Sequence, residues 1–436
     1  MSRRILNRAG LAAILVLCAA FGARGQALGT YTPYSIYGVG DLSHPGTAWN
    51  KSMGGVGIAM RNNSFINITN PAAVTARDSL AFMTDFSLYA DNKIFNQGGI
   101  VSATNTFNIN DIAISFPLWS RIAMMVGIQP YSDTGFNYSF LYTDPELIGR
   151  TGNITYSAAG NGSIYKTFAA AGVRIGRHLS LGAQWNFYFG NIVKQYYTTF
   201  NDASYNGIQN STDGHFSGHG FKVGVQYEIP VSAKLTIAVG ATYASRVALG
   251  GTMEAGRYSA GSAAADTLYH KTDVLGVDSK VSLPSEIGVG VAFKNPGKWT
   301  LELDYTRSDW TASGLDNARG FTASNTFKAA VADAWRVGFE IVPNRNDVRH
   351  YFNHVAYRAG AYYKHDYYLL DGQRVTSMGI TLGATFPVVN INSGLSVGVD
   401  LGQRGSLSGG QVLERYINLS FGVNLFDIWF RKYQYQ

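Results

Sequence analysis

The chain has 436 residues, of which 14% are charged, with 50 Gly, 27 Tyr, 24 Phe and a formal net charge of +7. Soluble domains carry about 25% charged residues, so the composition points away from them. A mean hydropathy of −0.03 and the lack of an apolar run of about 18 residues after the leader exclude a helical membrane protein, and one large barrel fits better than several soluble domains.

Residues 1–25 have the layout of a secretory signal. Arg3, Arg4 and Arg8 form a basic start, and Leu11 to Phe21 an apolar core too short to span a bilayer. Ala23-Arg24-Gly25 is a small-x-small cleavage site before Gln26. Cys18, the only cysteine, lies inside that core and follows Leu17 rather than the small residue that lipidation needs, so the mature chain has no thiol chemistry and no disulfide. Cleavage removes four of the 35 basic residues and no acidic one, leaving 31 against 28, or +3. Nucleic-acid binding thereby loses its main support.

Residues 26–79 form a separate segment before the strands begin. Its core, Lys51 to Ala76, reads "KSMGGVGIAMRNNSFINITNPAAVTA" and matches neither strand nor helix. Asn70-Pro71 makes a rigid non-helical corner, because Pro fixes its own φ and restricts the residue before it. Asn63, Asn67 and Asn70 suit irregular backbone, which is tolerated at membrane depth when protein encloses it.

From residue 80 to 425 the dominant pattern has period two, which puts alternate residues on opposite faces of a strand. Less regular strands near 80–90, 107–118, 121–130 and 163–176 come first. Leu179, Leu181, Ala183, Trp185, Phe187 and Phe189 then alternate with Ser180, Gly182, Gln184, Asn186, Tyr188 and Gly190. Similar dyads start at Phe221, Leu235, Ile287, Trp299, Trp335, Val355, Met378, Leu395 and Ile417. These give fourteen strands, an even count that returns both termini to one side, as in bacterial outer-membrane barrels. The expected fold class is all-β, a 14-stranded antiparallel transmembrane barrel.

Link lengths support that reading. Short links fall at 117–120, 176–178, 230–233, 295–298, 343–352 and 388–393. Longer ones fall at 91–106, 131–162, 191–216, 247–281 and 311–332, with shorter examples at 365–375 and 404–412. Alternation of short periplasmic turns with long outer loops is the asymmetry of such barrels. Trp119 and Trp299 then fall at the periplasmic rim and Trp310 and Trp335 at the outer rim, as interfacial girdles. Gly on inward faces (Gly224, Gly240, Gly288, Gly290, Gly338, Gly360, Gly379, Gly383) either relieves curvature or leaves room in the lumen. Residues 426–436, "FDIWFRKYQYQ", form a short periplasmic tail whose Trp429 and Arg431 suit an interfacial anchor.

The sequence holds no GxSxG, HExxH or P-loop. His215 and His219 have a helical ligand spacing but sit at a loop-to-strand junction without an obvious third ligand, so no metal is expected. Nothing asks for a cofactor, and an enzyme is not expected. Glu286, Glu302, Asp304, Arg336, Glu340 and Arg358 occupy inward faces of four successive strands. Unpaired charges there are costly, so they are expected to pair across strands or meet water.

The leader, the Gly-rich "MGGVGIAMRNNSFINITNPAAV" (Met53 to Val74) and fourteen strands together resemble the FadL-type long-chain fatty-acid transporters of Gram-negative outer membranes. Asn70-Pro71-Ala72 matches that family's NPA hallmark, with Ala73 where the family usually has Gly. The resemblance implies an N-terminal hatch folded inside the barrel, gated around Gly54, Gly55, Gly57 and Asn70-Pro71-Ala72. It also implies a sideways exit through a kinked third strand. Here that strand is "RIAMMVGIQPYS", with Gly127 and Pro130 as the residues for a local wall break.

Two functions follow as expectations. One is a passive outer-membrane channel for hydrophobic compounds such as long-chain fatty acids, with "FNYSFLY" (Phe136 to Tyr142) as a candidate outer capture site. The alternative is a FadL-like barrel serving as a subunit or shuttle of a protein assembly or secretion machine. The expected partners are outer-membrane lipid and lipopolysaccharide, a hydrophobic small molecule, and, in the second reading, other outer-membrane proteins.

Overall fold

The computed structural model describes residues 29–78, 80–149, 151–202, 204–260, 265–321, 326–347, 349–388 and 392–428. The leader, Trp429 and Arg431 lie outside the described residues.

One antiparallel sheet closes on itself, and fourteen strands form its wall. They are β1 (Ala81–Gln97), β2 (Ile100–Trp119), β3 (Ile122–Tyr142), β4 (Ile154–Ile175), β5 (Leu179–Phe200), β6 (Gly207–Ser232) and β7 (Leu235–Ala244). The second half comprises β8 (Glu286–Asn295), β9 (Trp299–Asp309), β10 (Val331–Ile341), β11 (Ala356–Leu370), β12 (Gln373–Pro387), β13 (Gly394–Arg404) and β14 (Leu413–Ile428). Closure is made by β14 on β1, in register from Leu413 opposite Asn96 to Ile428 opposite Ala81. The last strand thus runs to Ile428, into the stretch read from sequence as tail.

The period-two pattern becomes an inside-out distribution. Phe221, Ile287, Trp335 and Ile380 stand more than half exposed on the outer face, whereas Gln226 and Glu302 on the inner face are fully buried. Apolar out and polar in is the arrangement of a wall facing lipid.

Much of what the sequence presents as long outer links is strand. β1 and β2 meet at Gly98-Gly99, and β3 to β6 extend through most of 131–142, 154–162, 191–200 and 207–216. Beyond β7, Val247–Ala260 continues upward and pairs with β6 from Ser217–Gly250 to Gly207–Ala260, and Ala265–Leu275 returns along it. Stretches such as "QNSTDGH" (Gln209 to His215) carry no apolar residue on either face, so the ladder continues where the hydrophobic alternation stops.

The N-terminal segment runs through the lumen from end to end. Near the loop end, Tyr34 and Val39 belong to a buried cluster with Trp310, Leu315, Phe321, Tyr367 and Tyr368. Near the turn end, Ile66, Ile68 and Val74 pack with Met83, Met125, Phe168 and Phe426. Trp310 is therefore not a rim residue. It is 1% exposed and its ring lies 4.4 Å from that of Tyr367, because the chain after β9 folds inward over the lumen. Trp335 and Trp119 do stand on the outer surface.

Candidate functional site in the barrel lumen

The corner at Asn70 is held from three sides. Its Oδ1 accepts from the Ala72 N–H at 3.0 Å, capping the short 3-10 helix Pro71–Ala76. Its Nδ2 donates to the Ile58 carbonyl at 2.7 Å and the Val225 carbonyl of β6 at 3.3 Å. Pro71 occupies the first helical position, where a missing N–H costs nothing. Ala72 is completely buried.

The inward glycines mark where this segment touches the wall. A Cβ at Gly182 would collide with the Pro71 backbone, at Gly224 with Asn70, at Gly240 with the Ile58 carbonyl, and at Gly360 with Gly54. The room these glycines leave is taken by chain. Within the segment, Gly54 and Gly55 have φ of +73° and +79°, a left-handed turn that other residues adopt only with strain. The Gly54 N–H donates to Thr381 Oγ1 at 2.7 Å.

Two carboxylates of β9 receive three further backbone donors. Asp304 Oδ2 accepts from Gly57 N–H at 2.8 Å and Ile58 N–H at 3.0 Å, and Glu302 Oε1 accepts from Ala59 N–H at 2.7 Å. Buried main-chain donors need partners, and carboxylate acceptors make stronger bonds than neutral ones. The other four inward charges divide differently. Glu340 and Arg358 lie directly opposite on β10 and β11 and bond at 2.7 Å, and Trp49 Nε1 of the segment joins the same carboxylate at 3.0 Å. Arg336 lies opposite Asp304 but donates to Thr306 Oγ1 at 2.9 Å. Glu286 meets Lys222 only at 3.9 Å. The six residues are thus brought to one lumen, but they do not form one network.

Several anchors are absent from the sequence reading. Arg61 pairs with Glu228 at 3.0 Å, and Lys294 reaches Glu228 at 3.3 Å and the Arg61 carbonyl at 2.8 Å. Higher up, Arg404 holds Asp366 at 2.6 Å and Asp41 at 2.9 Å. Lys93 sits 3.4 Å from Glu414 and 3.7 Å from Asp41. Alternation on the upper strands was the available signal: Lys93 and Arg404 fall on inward positions in stretches read as outer loops, and Glu414 on one just beyond the loop read at 404–412.

Gly127 and Pro130 border an interrupted ladder. β2 and β3 pair only from Trp119–Ile122 to Ile112–Ile128. Above that point β3 pairs with β4, with a register shift between Pro130 and Ser132, and accepts Asp41–Leu42 of the segment against Ser132–Asp133. Pro130 lacks the donor a ladder needs. Phe136 is buried against Ile36, whereas Phe140, Leu141 and Tyr142 are exposed. His215 and His219 lie within β6, where His219 stacks 4.9 Å from Phe187.

Beside the interruption lies a chamber of about 230 Å³. Its lining mixes charged side chains, among them Lys166, Lys222, Glu286 and Arg336, with apolar and aromatic ones, among them Pro130, Tyr131, Val247, Leu283 and Trp310.

The family model described as BamG matches residues 1–436. No curated protein sequence matches the chain. Among solved structures, the Pseudomonas putida toluene transporter TodX aligns with a TM-score of 0.59 at 13% identity, over 90% of this chain and 100% of its own. A FadL homologue of Pseudomonas aeruginosa gives 0.57 at 11% identity over 89% and 99%. The Ralstonia pickettii toluene transporter TbuX gives 0.52 at 13% over 87% and 98%. At these identities the likeness is one of fold.

Proposed function

The chain belongs to the BamG family, and from that premise we propose that it is a closed, FadL-like barrel subunit of an outer-membrane protein assembly or secretion machine. The observation that carries this reading is the filling of the lumen. The segment is bonded to wall carboxylates at Gly57, Ile58 and Ala59, and the chamber beside it carries charged side chains such as Lys166, Lys222, Glu286 and Arg336 among apolar ones. A hydrophobic cargo crossing it would desolvate charges without replacing their hydrogen bonds, which is costly.

The test is mild-detergent purification from native membranes, paired with a deletion strain. The reading expects co-purifying outer-membrane proteins and defects in the assembly of other barrels. A barrel that purifies alone, with a deletion affecting only uptake, overturns it.

A second reading is passive uptake of hydrophobic compounds, with the N-terminal segment as a movable hatch. The ladder interruption at Ile112–Ile128 favours it, since it is where a sideways exit would lie, and similar folds belong to toluene transporters. Slow growth of the deletion strain on long-chain fatty acid or an aromatic hydrocarbon, with normal barrel assembly, is its expected outcome.

A further inference from the structure

The chamber is lined by six cationic side chains and five carboxylates, so position rather than number decides its character. The carboxylates are mostly engaged elsewhere. Asp304 accepts two backbone N–H groups of the segment. Asp41 and Asp366 are held by Arg404, and Asp333 pairs with His365 at 3.0 Å and Arg374 at 3.5 Å.

The cations are less well matched. Among the described residues, the side chains of Lys166 and Lys364 make no hydrogen bond and no ion pair within 4.0 Å. Lys222 reaches Glu286 only at 3.9 Å, and Arg336 bonds only the neutral Thr306. These four come from β4, β6, β10 and β11 and line one chamber, where Glu286 is the fifth carboxylate of the lining and meets Lys222 alone within 4.0 Å. Cations in a protein interior that outnumber their free counter-charges are costly. An anion with several acceptor oxygens would satisfy donors arriving from different sides.

We propose that the chamber beside the β2–β3 interruption binds a phosphate group, held by Lys166, Lys222, Arg336 and Lys364. Two sources share this chemistry: a soluble phosphate compound, or the headgroup of a phosphate-bearing lipid reaching in past Pro130. The interruption borders the chamber, since Pro130 and Tyr131 line it, so a headgroup can sit inside while its acyl chains stay in the bilayer. This site is independent of whether the barrel assembles proteins or admits hydrophobic compounds.

The experiment is native mass spectrometry of the full-length mature barrel, purified without phosphate in non-ionic detergent. It is titrated with inorganic pyrophosphate, with phosphatidic acid, and with uncharged diacylglycerol. One saturable equivalent of pyrophosphate supports the site with a soluble source, and saturation by phosphatidic acid alone supports it with a lipid source. The K166Q/K364Q double variant, checked for heat-modifiable migration, is expected to weaken binding by roughly tenfold or more, as loss of charge-assisted bonds does. If that variant does not fold, Lys222→Gln takes its place with the same expectation. The proposal fails if neither phosphate probe saturates the unaltered protein, if diacylglycerol binds as well as phosphatidic acid, or if the folded variant binds unchanged.

Discussion

Asn70 donates its side-chain amide to the carbonyl of Ile58 at 2.7 Å, across twelve residues of chain. That bond folds the segment back on itself between two wall contacts, the Val225 carbonyl on one side and the β9 carboxylates on the other. The corner is consequently a three-way junction of segment, wall and the helix that leads into β1.

Asn70→Ala should remove the cap of Pro71–Ala76 and leave the Ile58 carbonyl with the Gln226 amide, 2.9 Å away, as its remaining side-chain donor. The expected loss is about 1–3 kcal/mol, read as a lower midpoint in denaturant unfolding in detergent. An unchanged midpoint would show that the junction carries no stability.

Gly182→Val and Gly224→Val place side chains where Pro71 and Asn70 lie. Neither position needs an unusual φ, so the wall itself accommodates Val while the segment is displaced. Faster protease cleavage within residues 60–76, with heat-modifiable migration retained, is the expected result. Equal protection would contradict the close approach.

Arg358→Ala strands Glu340 in a buried site shared with Trp49. Removing one partner of a buried pair typically costs about 3–5 kcal/mol. Arg336→Ala loses one bond to a neutral hydroxyl and is expected to cost less, about 1 kcal/mol. Melting of both variants checks the order, and the reverse order would refute the assignment of Arg358 as the stronger anchor.

Pro130→Thr restores a backbone donor next to the interrupted ladder. If uptake proceeds sideways there, the variant should slow accumulation of labelled fatty acid. Gly127 is a poorer probe, because a Cβ there would meet the Phe168 ring and the Ile112 carbonyl. Uptake at the unaltered rate removes the side exit.

The wall was legible because lipid and lumen impose opposite demands on alternate residues, so Phe221 to Ile229 or Ile287 to Phe293 announce themselves. The upper strands were not, since water and packed loops replace lipid there and Gln209 to His215 lose that contrast. The Glu340–Arg358 pair was readable as charges on neighbouring strands. The role of Glu302 and Asp304 was not, because their partners are main-chain groups of Gly57, Ile58 and Ala59 that no side-chain pattern reveals. Trp310 misleads for a related reason: an aromatic after a strand looks like a girdle residue whether the chain next turns outward or folds in over the lumen.

The running of residues 29–78 from one end of the lumen to the other has a consequence for the order of biogenesis. This segment leaves the ribosome before any strand of the wall, yet its partners extend to β14, where Asn424 donates to the Ser64 carbonyl. It cannot reach its final bonds until nearly the whole wall exists, and threading it into a barrel already sealed from β14 to β1 would drag polar backbone through a narrow mouth. Contacts so distant in sequence form slowly. The expected order is therefore that the seam closes around a segment already in place, so that chain made before the wall serves as the form on which the last strand is set.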